Sequence, residues 1–87
     1  MAIDTKYGKV TTEFGNIEED EPVVVFRARD VLLPDVLSFY LYECNERGSS
    51  KKHLDLIRET ENKVNDWQQA NTDKVRVPQS ASYKPKE

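Results

Sequence analysis

Glu21-Pro22-Val23-Val24-Val25-Phe26-Arg27-Ala28-Arg29-Asp30, continued by Val31-Leu32-Leu33-Pro34-Asp35-Val36-Leu37-Ser38-Phe39-Tyr40-Leu41-Tyr42-Glu43-Cys44-Asn45-Glu46-Arg47-Gly48, holds most of the apolar side chains from which a core can be made. Val23 to Arg29 is β-branched or aromatic and then alternates, so Val24, Phe26 and Ala28 share one face while Val23, Val25, Arg27 and Arg29 share the other. This pattern predicts a strand. From Asp30 the period changes to 3.6. Leu33, Val36, Leu37, Tyr40, Leu41 and Cys44 follow the i, i+3, i+4, i+7, i+8, i+11 template of an amphipathic helix. Asp30 is suited to cap that helix, Pro34 is tolerable in its first turn, and Gly48 can take the positive φ that ends it.

Working outward, Lys9 to Phe14 alternates as a second strand, with Val10, Thr12 and Phe14 on one side and Thr11 and Glu13 on the other. Antiparallel pairing with Val23–Arg29 is the simplest arrangement. Tyr7-Gly8 reads as a turn that closes an N-terminal arm over residues 1–8. The connection between the strands, residues 15–22, carries Glu18, Glu19, Asp20 and Glu21 in succession, either a solvated loop or an acidic docking patch. Ser49 and Ser50 offer an N-cap for a second helix from Lys51 to about Ala70, whose apolar side collects His53, Leu56, Ile57, Thr60, Val64 and Trp67. The short connection at 48–50 makes the two helices an αα-hairpin. Lys74 to Val77 is a candidate short edge strand stopped by Pro78. The expected class is α+β: a two-stranded antiparallel ribbon packed on a helical hairpin, residues 9–77 forming one domain and 78–87 a disordered tail.

Eighty-seven residues bound this to one small domain with a modest core. The single cysteine excludes an internal disulfide, and Cys44 on the apolar face of its helix reads as an inert thiol. One His and one Cys give no basis for a metal site, and no cofactor is expected. A net charge of −3 argues against general nucleic-acid binding. No stretch approaches the length of a membrane span, and the first residues lack the apolar core of a signal peptide, so a cytoplasmic protein is expected. Leu32 and Phe39 flank the first helix stripe and Tyr42 lies nearly opposite it; this surplus apolar surface predicts a homo-oligomer.

Catalytic motifs are missing. There is no Gly-x-Ser-x-Gly, no Walker loop and no Gly-x-Gly-x-x-Gly, and His53 beside Leu56 and Ile57 reads as a structural histidine. Arg27 and Arg29 stand out. Two guanidiniums on one strand face, just before a helix start, suit a phosphate or carboxylate, since each offers a bidentate fork. Tyr7, Thr11 and Thr12 are the natural co-ligands if the first strand lies alongside. The plain alternative is that the arginines pair with Glu13, Glu21 or Asp30.

Tyr7-Gly8-Lys9-Val10-Thr11-Thr12-Glu13-Phe14-Gly15, Asp20-Glu21-Pro22-Val23, Phe26-Arg27-Ala28-Arg29-Asp30, Pro34, Tyr40, Cys44, His53 and Trp67 together resemble a group of small uncharacterised accessory proteins of tailed phages and prophages. The resemblance carries no catalytic residues with it. It implies a context, the cytoplasm of an infected host, in which proteins of this size commonly bind a host protein or sequester a host nucleotide signal. The expectation is therefore a non-enzymatic binding module that counters a host defence by sequestering a small anionic, nucleotide-like signal through Arg27 and Arg29. The alternative is an inhibitor that docks on a host protein through Glu18, Glu19, Asp20 and Glu21, with a small hydrolase a distant third.

Overall fold

The computed structural model describes residues 2–78 and contains two strands, β1 (Ala2–Asp4) and β2 (Gly8–Val10), and two helices, α1 (Leu33–Glu46) and α2 (Lys51–Ala70). It is α+β, an antiparallel two-stranded ribbon with a helical hairpin. Of the tail expected over 78–87, residues 79–87 lie outside the described residues, while Pro78 is described.

The ribbon is made of other residues than the alternation predicts. β1 pairs with β2 in the register Ala2↔Val10, Ile3↔Lys9 and Asp4↔Gly8, so the expected N-terminal arm supplies a strand. Asp4 explains the tight connection. It is 4% exposed, and its Oδ1 accepts from the backbone N–H groups of Lys6 (2.8 Å) and Tyr7 (2.7 Å), an Asx turn that Gly8 completes at φ +89°. β2 ends at Val10, which pairs with Ala2, and Thr11 to Phe14 lie outside it, with Phe14 82% exposed.

Val23–Arg29 is likewise not a strand of the sheet, although it lies beside β1. Val23 N–H donates to the Ile3 carbonyl (3.1 Å) next to an isolated parallel bridge from Ile3 to Pro22. One step further, β1 has already turned away, and Val25 N–H donates instead to Asp4 Oδ2 at 2.7 Å. A carboxylate thus replaces the backbone acceptor that a continuing ladder needs. Past a turn closed by Asp30 N–H to the Arg27 carbonyl (3.0 Å), the expected edge strand at 74–77 reduces to one parallel bridge between Asp30 and Arg76. Arg76 N–H donates to the Arg29 carbonyl (3.0 Å) and Val31 N–H to the Arg76 carbonyl (3.1 Å).

The helices span the residues expected of them. α1 starts two to three residues after Asp30, with Leu32 at the N-cap and Pro34 in the first turn. Asp30 Oδ1 accepts from Leu32 N–H (2.8 Å), organising the approach to the helix rather than capping it. α1 ends in a Schellman motif: Ser49 N–H donates to the Cys44 carbonyl (2.9 Å), Gly48 N–H to Asn45 (3.3 Å), and Gly48 takes φ +85°. Ser50 caps α2, its hydroxyl accepting from His53 N–H at 3.2 Å.

The core is small. Leu33 (5% exposed), Leu54 (9%), Ile57 (6%) and Val64 (7%) are its buried apolar side chains among the described residues. On α2 the buried line runs through Leu54, Ile57 and Val64, with Glu61 and Gln68 half-buried beside it, while His53, Thr60 and the 53% exposed Leu56 face outward. The inner face is thus rotated by about 70° from the apolar-only stripe, taking 100° per residue. Two polar residues account for the rotation. Ser38 of α1 donates to Glu61 Oε2 (2.6 Å), and Gln68 Nε2 donates to the carbonyls of Ala28 (2.8 Å) and Asp30 (2.9 Å). Gln68 therefore fastens the 28–30 turn to α2.

Candidate ligand cleft

A cavity of about 310 Å³ lies between the β1–β2 turn, the segment 23–30 and the stretch 76–78. Its apolar surface comes from Val23, Val24, Val25, Phe26 and Pro78. Its polar surface comes from Lys6, Arg27, Arg29 and Arg76 against the carboxylates of Asp4 and Asp30, with Thr5 and Tyr7 alongside. Four cationic side chains around two carboxylates make this cleft locally positive in a chain whose net charge is −3.

The backbone positions these groups. Asp4 holds the β1–β2 turn with one oxygen and Val25 with the other, so the turn that carries Lys6 and Tyr7 is tied to the segment that carries Arg27. Three N–H donors, with Tyr7 N–H the strongest influence, keep the Asp4 carboxyl below its usual value of 3.8 even though its removal from water pushes the other way. It is ionised at neutral pH, and its charge is spent on the backbone. Lys6 Nζ lies 5.4 Å from the centre of the Tyr7 ring, a cation–π contact at the cleft edge. Arg76 reaches the cleft through its bridge to Asp30, and its Nη2 donates to the Asp73 carbonyl at 3.0 Å.

Of the residues singled out from sequence, the structure brings Arg27, Arg29 and Tyr7 into this one cleft. Among the described residues, the ion pairs join Glu43 to Arg47 at the C-cap of α1, and Lys51 and Arg58 to Asp55 and Glu59 to Lys63 on α2. Neither Arg27 nor Arg29 pairs with Glu13, Glu21 or Asp30, the structural partners weighed above. Thr11 and Thr12 are exposed beyond the end of β2 and do not line the cleft, because the strand that was to carry them alongside Arg27 stops at Val10. Nor does α1 offer an open N-terminus: Asp30 takes Leu32 N–H with its side chain and Leu33 N–H with its carbonyl (3.0 Å). Glu18 to Glu21 form an exposed turn outside the cleft, with Glu21 N–H donating to the Glu18 carbonyl (3.1 Å) and Glu18 N–H to Glu21 Oε1 (3.2 Å).

Sequence reasoning missed Lys6, Arg76 and Asp4. Asp4 carried a usable signal, an Asp followed by Thr-Lys-Tyr-Gly, which is Asx-turn chemistry. Arg76 carried none, since it arrives only by tertiary contact. His53 is also outside the cleft; its ring meets Tyr40 edge-on at 6.1 Å, and the neighbouring Cys44 thiol raises the Tyr40 phenol above its usual range. No group of His, Cys, Asp and Glu among the described residues is arranged to hold a metal ion, and no helix there is long and apolar enough to cross a membrane.

Compared with protein-family models, curated proteins and solved structures, the chain matches none.

Proposed function

We propose that this chain is a non-enzymatic binding module that holds a small phosphate-bearing, nucleotide-like ligand in the cleft. The observation that carries the reading is the gathering of Arg27, Arg29, Arg76, Lys6 and the Tyr7 ring around one cavity of about 310 Å³. That size is at the lower end of small-ligand sites, which run from about 300 to 1,000 Å³. Guanidiniums grip phosphate oxygens in bidentate fashion, while Tyr7, Phe26 and the valines give a flat apolar moiety something to lie on. With the resemblance to phage accessory proteins, the ligand belongs to the class of host signalling nucleotides, removed by binding in the host cytoplasm.

Thermal-shift and calorimetric titration with mononucleotides, dinucleotides and cyclic dinucleotides tests the reading. At least one should raise the melting temperature, and Arg29→Lys should weaken that ligand despite the retained charge. If no nucleotide shifts the parent at millimolar concentration, the proposal falls. One observation keeps the protein-inhibitor reading in view: the Glu18–Glu21 turn is exposed and bonded only within itself among the described residues. Under that reading a basic host protein is lost when the turn is neutralised and the arginine variants retain it, with binding fading as salt rises.

A further inference from the structure

Val23 and Val25 direct their N–H groups toward β1, to the Ile3 carbonyl and Asp4 Oδ2. In extended chain the intervening residues face the other way. Val24 and Phe26 therefore present their N–H and C=O groups along the opposite edge, where none of the four makes a hydrogen bond among the described residues. Their side chains are exposed as well, Val24 at 73% and Phe26 at 50%. An open apolar edge of β-branched and aromatic residues is a template for strand addition, and nothing at Val24 or Phe26 blunts it with a charge or a proline.

The charges around this edge say what fits it. The chain runs acidic, apolar, basic: Glu18 to Glu21, then Val23 to Phe26, then Arg27 and Arg29. Such a segment complements itself only when antiparallel, because a parallel copy sets like charges side by side. We propose that two copies of this chain pair through this segment about a two-fold axis at Val25. In that register Val24 of one copy faces Phe26 of the other, the pair exchanges both N–H···O bonds, and the two-fold repeats the exchange. All the open donors and acceptors of Val24 and Phe26 are then used. Val25 faces its own counterpart across a non-hydrogen-bonded position, and the acidic end of one copy's segment lies toward the Arg27 end of the other's. An interface built on one short strand is small, so the dimer is a weak one, populated from the micromolar range upward. A cleft-bound anion and the acidic turn of the second copy compete for the same guanidiniums, but assembly itself needs no ligand.

Sedimentation velocity on the full chain, over a concentration series with no added anion, reads the assembly. The parent should show a concentration-dependent dimer that weakens at high salt, Val24→Pro should shift its midpoint at least tenfold upward, and Phe39→Lys on α1 should leave it unchanged. Cysteine trapping reads the register without depending on that proline variant. In a Cys44→Ser background, Val25→Cys should oxidise to a disulfide dimer, since facing Cα atoms at such a position are about 4.5 Å apart, within disulfide reach, whereas Phe39→Cys should not. A parent that stays monomeric at submillimolar concentration would overturn the inference. So would a dimer lost in Phe39→Lys but kept in Val24→Pro, or trapping at residue 39 and not at 25; either outcome assigns assembly to helix packing instead.

Discussion

Replacing Leu54 by Ala is the sharpest test of how the helices meet. Leu54 is one of four buried apolar side chains among the described residues and is only 9% exposed, so truncation removes a large part of the core. Transfer and cavity effects for a buried leucine amount to about 2 to 5 kcal/mol. A domain of this length has a total stability on the order of 4 to 13 kcal/mol, so the substitution takes a major share. Each kcal/mol moves the midpoint of so small a domain by about 4 to 8 °C, and the variant should melt on the order of 10 °C or more below the parent. Leu56, two residues along and 53% exposed, is the control; Leu56→Ala should lose less than about 1 kcal/mol, in line with its partial burial. Thermal and urea denaturation followed by helical circular dichroism compares the two directly. If Leu56→Ala proves the more damaging variant, α2 presents the face that apolar periodicity alone suggests, and the packing described here is wrong.

Gln68→Ala removes the side chain that donates to the carbonyls of Ala28 and Asp30; Asp30 keeps Leu33 N–H, but the part-buried Ala28 carbonyl is left without a partner among the described residues, which should lose about 1 to 3 kcal/mol; equality with parent in urea melts would argue that α2 does not hold the 28–30 turn. Asp4 is ionised and hydrogen-bonded in the folded chain, so its stabilisation is fully present above the ordinary value of 3.8 and is lost as pH falls through its lower folded value. Asp4→Asn should therefore melt well below the parent at neutral pH, with the gap closing under strongly acidic conditions; a gap independent of pH would refute the carboxylate's role. Gly48→Ala places a Cβ at φ +85° and should lose about 1 to 2 kcal/mol through left-handed strain alone, since nothing crowds that position. A melting temperature unchanged in that variant would mean that α1 ends differently.

Much of the architecture was legible in sequence because helices are local objects. The 3.6 period from Leu33, the Gly48 stop and the Ser50 cap each depend on neighbours within one or two turns, and each has its place in the structure. The ribbon was less legible. Strand pairing depends on which distant backbone arrives first, and the weakly patterned Ala2–Asp4 takes the position that the more strongly patterned Val23–Arg29 was expected to fill. Asp4 then diverts Val25 N–H to a side chain, an exchange no alternation rule encodes. The rotation of α2 escaped because Glu61 and Gln68 lie on the inner face as hydrogen-bonding partners, and a stripe drawn from apolar residues alone leaves them out. At the cleft, Arg27 and Arg29 were visible as a pair on one face and Tyr7 as a neighbour across a turn, while Lys6 and Arg76 required the folded chain.

Calorimetric titration of the parent, Arg29→Lys and Thr12→Ala with a panel of nucleotides tests the ligand cleft most directly. Charged hydrogen bonds of about 1.5 to 3 kcal/mol correspond to losses of roughly tenfold to a hundredfold in affinity. The account predicts saturable binding of a phosphate-bearing nucleotide by the parent, a loss of that order in Arg29→Lys because a single ammonium cannot reproduce the fork, and parental affinity in Thr12→Ala, whose side chain lies outside the cleft. Absence of binding across the panel at millimolar ligand, or equal weakening by the lysine and the threonine variants, would contradict it.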